Sequence, residues 1–153
     1  MRVRRFFGAL LVLVIVLSLT LKMELLFGWS FDLALAALVA FALIVSGPEL
    51  VLLLAFALFV LRSSPGFSPE LLVLAAVPLL AALGDRLLPW RSAMTPAVAL
   101  AFGIVGFYLA AGSSLGAYAW FLAGNVIVCI AFAYVLLWMF QSVWSKNYEK
   151  YQR

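Results

Sequence analysis

Residues Ser30 to Arg62 read SFDLALAALVAFALIVSGPELVLLLAFALFVLR, an almost purely aliphatic stretch broken once, at Gly47-Pro48-Glu49. At 1.5 Å per residue each arm covers at most about 25 Å, slightly less than the hydrocarbon core of a bilayer. If the break is a turn, the stretch is a pair of short antiparallel membrane helices. If it is only a kink, the stretch is one overlong helix and everything after it changes sides. Gly47 followed by Pro48 favours the turn, because glycine closes helices and proline suits the first position of a new one.

The rest of the chain shares this character. Of its 153 residues 68% are hydrophobic and 10% charged, and the mean hydropathy is +1.22. A soluble domain is roughly half apolar and a quarter charged. Such a chain reads as an integral membrane protein with several spans and no separate soluble domain. The formal charge of +4 does not point to nucleic acid. The basic residues stand at the ends of apolar runs, where headgroups and topology place them. Cys129 is the sole cysteine, so no intrachain disulfide forms, and its apolar surroundings read as a small buried hydrophobe. The absence of histidine removes Ser-His-Asp and Cys-His catalysis and His-ligated metals.

Six apolar runs follow one another, at about 6–21, 31–47, 48–62, 70–84, 96–111 and 117–140. The expected fold is an all-α, six-helix transmembrane bundle in a single domain, with short second and third helices. The first run follows Arg2-Val3-Arg4-Arg5 and lacks a small-residue cleavage site, so it reads as an uncleaved span. Ser30 is the expected cap of the second helix, with Asp32 in its first turn. Pro78 lies inside the fourth run and reads as a kink rather than an end. The tail from Gln141 to Arg153 carries Trp144, Tyr148 and Tyr151 and reads as an interfacial helix or a solvated end.

Charge decides between turn and kink. With six passes and the N-terminus inside, the cytoplasmic ends carry Arg2, Arg4, Arg5, Arg86, Arg91, Lys146, Lys150 and Arg153, against Lys22 and Arg62 outside. If Ser30–Arg62 crossed once, only Arg2, Arg4, Arg5 and Arg62 would lie inside and the other six outside, against the positive-inside tendency. Both termini are therefore expected in the cytoplasm, the protein sitting in the cytoplasmic (inner) membrane. A re-entrant hairpin at 30–62 has the same parity.

Residue patterns that carry chemistry are sparse. There is no phosphate-binding glycine loop, no metal-spaced acid pair and no nucleophile constellation, so neither an enzyme nor a cofactor or metal site is expected. Asp32, Glu49 and Glu70 fall in helix first turns; Asp85 and Arg86 are adjacent near the end of a run. Asn125 is the one amide well inside a span and reads as an interhelical hydrogen-bonding group. Small residues recur at helical spacing: Ala99, Gly103, Gly106 and Ala110 in the fifth helix, Ala36 and Ala40 in the second, Ala119 and Ala123 in the sixth. In lipid such stripes let backbones approach, either within the bundle or against a partner. The first six of these are the expected partner-binding positions.

The pattern resembles the family of the rod shape-determining protein MreD. Arg2 to Arg5 precede the first span, Gly28-Trp-Ser-Phe-Asp32-Leu resembles that family's approach to the second, and Ser46-Gly47-Pro48 resembles its small-residue turn before the third. The resemblance covers roughly the first third of the chain. It implies a non-enzymatic scaffold that pairs with the single-pass protein MreC and supports the peptidoglycan-elongation and cell-shape machinery. Similar hydropathy belongs to the vitamin-binding subunits of energy-coupling-factor transporters. A small accessory subunit of a larger membrane complex is the third reading.

Overall fold

The computed structural model describes residues 2–27, 32–61, 69–87, 94–110 and 119–150. They form six α-helices and, among the described residues, no strand: α1 Arg2–Phe27, α2 Leu33–Ala42, α3 Gly47–Leu61, α4 Pro69–Leu87, α5 Thr95–Ala110 and α6 Ala119–Lys150. The Ser30 cap, the loop from Arg62 to Ser68 and the small turn at 112–116 lie outside these residues, as do the side chains of Glu70, Arg86 and Ala110.

The second helix is the axis of the bundle. It is only ten residues long, about 15 Å, and it packs against all five other helices. Every residue from Ala34 to Ala42 is buried. Its sequence LALAALVAFA is apolar at every helical angle, as a helix enclosed on all sides requires. Five of those ten residues are alanine, which lets the surrounding backbones come close. The flanking helices bury stripes toward it: Ala9, Leu13, Val16 and Leu17 on α1, and Cys129, Ala133, Leu136 and Phe140 on α6.

The break after α2 falls earlier than Gly47. The helix ends at Ala42, and Leu43, Ile44 and Val45 turn the chain by donating to the carbonyls of Ala40 and Phe41 at 2.9 to 3.2 Å. Ser46 then caps α3: its N–H donates to Glu49 Oε2 at 2.9 Å, while its carbonyl accepts from Leu50 N–H at 2.9 Å. Ser46-Gly-Pro-Glu49 thus makes the Glu49-to-Ser46 half of a capping box, in which the cap residue leaves helical geometry. Pro48 also has no N–H with which to continue α2. Gly47 is exposed at the first position of α3, with nothing near its α-carbon that a side chain would meet. It is not the helix stop that the Gly-Pro pair suggests.

Other boundaries extend past the apolar runs. The first helix covers Arg2–Phe27 rather than 6–21, because charged residues at its ends still make helical hydrogen bonds. Pro78 is buried within α4, which runs through it from Pro69 to Leu87. The tail is no separate interfacial helix: α6 continues unbroken to Lys150.

The outside of the bundle is as greasy as the inside. Phe7, Leu11, Ile15 and Leu19, each 50% exposed or more, make one outward stripe on α1; Ile127, Val135 and Trp138 face outward on α6. Arg5–Leu26 and Ala119–Ser142 are long and apolar enough to cross a membrane, and only 28% and 22% of those windows are buried, unlike the core helix of a soluble protein. The four remaining helices have shorter apolar segments.

Candidate functional site

Two places in the bundle depart from plain aliphatic packing. The first is a polar cluster where the beginnings of α2 and α6 meet the end of α5. Asn125 lies on the buried stripe of α6, one turn before Cys129, and is fully buried. Its Nδ2 donates to Asp32 Oδ2 at 2.7 Å and toward Tyr108 Oη at 3.4 Å. Its Oδ1 accepts from the backbone N–H of Asp32 at 3.2 Å and from the thiol of Cys129 at 3.3 Å. Two donors and two lone pairs are the whole capacity of an amide, and all four are engaged.

Asp32 plays a different part from the one its position suggests. It occupies the cap position of α2 itself, yet its carboxylate makes no capping bond to that helix. The carboxylate turns to Asn125 instead, and the two residues hold each other through a reciprocal pair of hydrogen bonds. The depth of the pair explains why α2 is short. Asn125 stands six residues into α6 from Ala119, about 9 Å along the axis and inside the apolar window. Backbone that is not helical is tolerated at such depth only where protein groups satisfy it. Asn125 supplies that partner to the Asp32 N–H, so α2 begins below the rim of the bundle.

The cluster also fixes direction. Asp32 meets Asn125 near the N-terminal ends of α2 and α6, and Phe41 stacks edge-on against Phe140 toward their C-terminal ends, with ring centroids 5.7 Å apart. The two helices therefore run parallel. In chemical terms the group is a clamp. The Cys129 thiol donates to an amide oxygen and the Tyr108 oxygen is within reach of an amide N–H, so neither is hydrogen-bonded to a base that would activate it. Among the described residues no three metal-ligating side chains come together.

The second place is an open apolar groove of about 410 Å³ between α4 and α5. Its walls include Val73, Val77 and Leu80 of α4 and Ala99, Phe102 and Gly106 of α5, and among the described residues Thr95 is the only polar side chain lining it. These helices run antiparallel, since Gly103 lies against Val77 and Gly106 opposite Val73. A β-carbon on Gly103 would stand 2.8 Å from Val77 Cγ1 and 3.4 Å from Leu35 Cδ2. Glycine is needed there because α5 touches α4 and α2 at once. At Gly106 the nearest atom would be 3.9 Å away, an ordinary contact.

The small-residue positions expected to bind a partner thus divide. All three described positions of the α5 stripe line the groove, Gly103 buried in the helix contact and Ala99 and Gly106 half-buried. Ala36 and Ala40 expose no surface at all. They seat α2 inside the bundle, and the expectation that a partner docks on them is corrected accordingly. Ala119 and Ala123 are exposed on α6. Asp85 is exposed near the end of α4 and is not part of either place. Sequence reading placed Asn125 as an interhelical bonder but missed Tyr108, which no local pattern sets apart from other aromatic residues near span ends. Comparison with protein-family models, with curated proteins and with solved structures finds no match.

Proposed function

We propose that this chain is a multi-pass scaffold of the cytoplasmic membrane, MreD-like in its role, that holds a partner membrane protein and performs no catalysis. The observation that carries the reading is the α4–α5 groove. It is apolar, open along the side of the bundle, and floored in part by Ala99 and Gly106, where a helix backbone can approach. A single transmembrane helix of the partner, MreC-like if the resemblance holds, is the occupant. The fifteen-residue α3, about 22 Å long, adds a second reason for a partner, because oligomerisation relieves the mismatch of a short exposed helix with a thicker bilayer. Capture of a polar vitamin has less support, since among the described residues Thr95 is the only polar one lining the groove.

In this proposal all six helices cross or enter the bilayer and both termini are cytoplasmic. The parallel course of α2 and α6 supports an alternating path, in which even-numbered helices share a direction. Reporter fusions at Ser64 and Ser113 should read outside, and fusions at Ser92 and Arg153 inside; an outside signal at Arg153 overturns the topology. The partner is tested by Ala99→Leu with Gly106→Leu. This pair should abolish recovery of the partner in pull-downs from membranes while insertion and thermal stability stay near wild type. Undiminished recovery sinks the groove as the docking face.

A further inference from the structure

The groove between α4 and α5 has the dimensions of something slimmer than a helix. It runs from Gly84 to Val73 on α4 and from Thr95 to Gly106 on α5. The two helices are antiparallel, with Gly103 against Val77 and Gly106 opposite Val73, so these two edges lie side by side. At 1.5 Å per residue the groove is about 16 Å long. Spreading its volume of about 410 Å³ over that length leaves a cross-section of about 25 Å². A helix with its side chains is about 10–12 Å across, roughly 80–110 Å² in section, and can only lay side chains onto such a slot. An extended hydrocarbon chain is about 4–5 Å across and about 20 Å² in section, since nonbonded carbons pack at 3.5–4.0 Å.

The two ends of the groove differ. Gly84 and Thr95 stand at the ends of the apolar segments Leu71–Asp85 and Thr95–Leu109, so this end opens where both segments meet the headgroup region. Thr95, the polar residue among the described ones that line the groove, belongs to the same end. From there a length of about 16 Å reaches the bilayer middle, because the hydrocarbon core is about 30 Å thick and one leaflet is half of it. The course between is smooth. Ala76, Ala99, Gly103 and Gly106 project little, while Leu80 and Phe102, both strongly exposed, border the space.

We infer that the groove seats one acyl chain of a membrane phospholipid, its ester end at Thr95 and Gly84 and its methyl end at Gly106 and Val73. In the topology proposed above this lipid belongs to the cytoplasmic leaflet. An empty slot forfeits the dispersion contacts of its lining, and a flexible chain of matching length and section restores them. The inference rests on the membrane reading but not on any protein partner. The acyl chain occupies the groove of the protein alone, and a docking helix displaces it.

The test reconstitutes the full chain in phosphatidylcholine bilayers containing a trace of photoactivatable phosphatidylcholine. The carbene precursor sits next to the ester in one probe and at the methyl end of an acyl chain in the other, and labelled residues are mapped by mass spectrometry. The first probe should label the surroundings of Gly84 and Thr95, and the second those of Val73 and Gly106. Each should exceed labelling of the exposed α1 residues Phe7, Leu11 and Ile15 by about tenfold, equivalent to about 1.4 kcal/mol. Ala99→Phe, which fills the groove, should lower this labelling to the α1 level, whereas Leu11→Phe should leave it unchanged. If Ala99→Phe does not insert, the order of the two probes along the wild-type groove decides. Labelling no stronger than on α1, the same sites for both probes, or labelling that an inserted Ala99→Phe variant leaves intact overturns the inference. A chain that remains in aqueous solution without detergent or lipid overturns it together with the membrane reading, whereas an inserted chain labelled evenly overturns it alone.

Discussion

The polar cluster at Asp32 and the groove between α4 and α5 lie in one bundle and obey opposite rules. Around Asn125 every hydrogen-bonding group of the amide has a partner, and the contacts tie α2, α5 and α6 together. Along Ala99 and Gly106 the walls are apolar, and among the described residues nothing fills the space. Hydrogen-bonding groups at membrane depth are costly unless paired, so the polar place is closed upon itself. An apolar groove in lipid carries no such penalty and can stay open until a helix or a lipid occupies it. The polar residues that look most like chemistry are thus the structural ones, and the bland groove is where we propose that a partner docks.

The comparison breaks first at Asn125. Replacing it by leucine strips the Asp32 carboxylate and the Asp32 N–H of their partner together. The expected loss is about 3 kcal/mol in reversible unfolding from mixed micelles, the upper range for a hydrogen bond to a charged group. Asp32→Asn, which keeps a polar group opposite Asn125, should cost less than half as much. Equal losses for the two variants would mean that the carboxylate, rather than the reciprocal pairing, is what matters.

Gly103 lies on the closed side of the groove, against Val77 of α4 and Leu35 of α2, and its effect should be intermediate. Gly103→Ala puts a methyl group against the stiff Val77 side chain and should destabilise by about 2 kcal/mol, within the range for overpacking. A paired Val77→Ala should recover most of that loss by clearing the collision. Absence of rescue would place the clash elsewhere. The smallest effect on stability is expected at Gly106, where alanine meets only an ordinary contact and should change the midpoint by less than about 0.5 kcal/mol. If Gly106→Ala costs as much as Gly103→Ala, the groove is tighter than its geometry and the distinction between closed and open sides fails.

Much of the architecture was legible along the chain. Unbroken apolar runs separated by Gly, Pro and charge give six helices, because each residue reports its own preference for water or hydrocarbon. The brevity of the second and third helices was visible in the same way. The small-residue stripes were visible too, since spacing of three and four residues is a property of any helix. Their use was not: nothing local distinguishes Ala36 and Ala40, which vanish inside the bundle, from Ala99 and Gly106, which line its side. Which face of a helix meets a neighbour depends on contacts far apart in sequence.

The same limit applies to the break in 30–62 and to the polar residues. Gly47-Pro48 signalled a turn within the stretch, but its position was set by the Ser46–Glu49 capping pair and by the tight turn at 43–45. Asp32 and Asn125 are 93 positions apart, and each alone has an ordinary explanation as a helix-start acid or a buried amide. Composition and periodicity by themselves determined that this is a bundle of apolar helices. Only the tertiary structure decided that the shortest helix is its axis, because enclosure on all sides and pairing of a distant amide are properties of the assembled bundle.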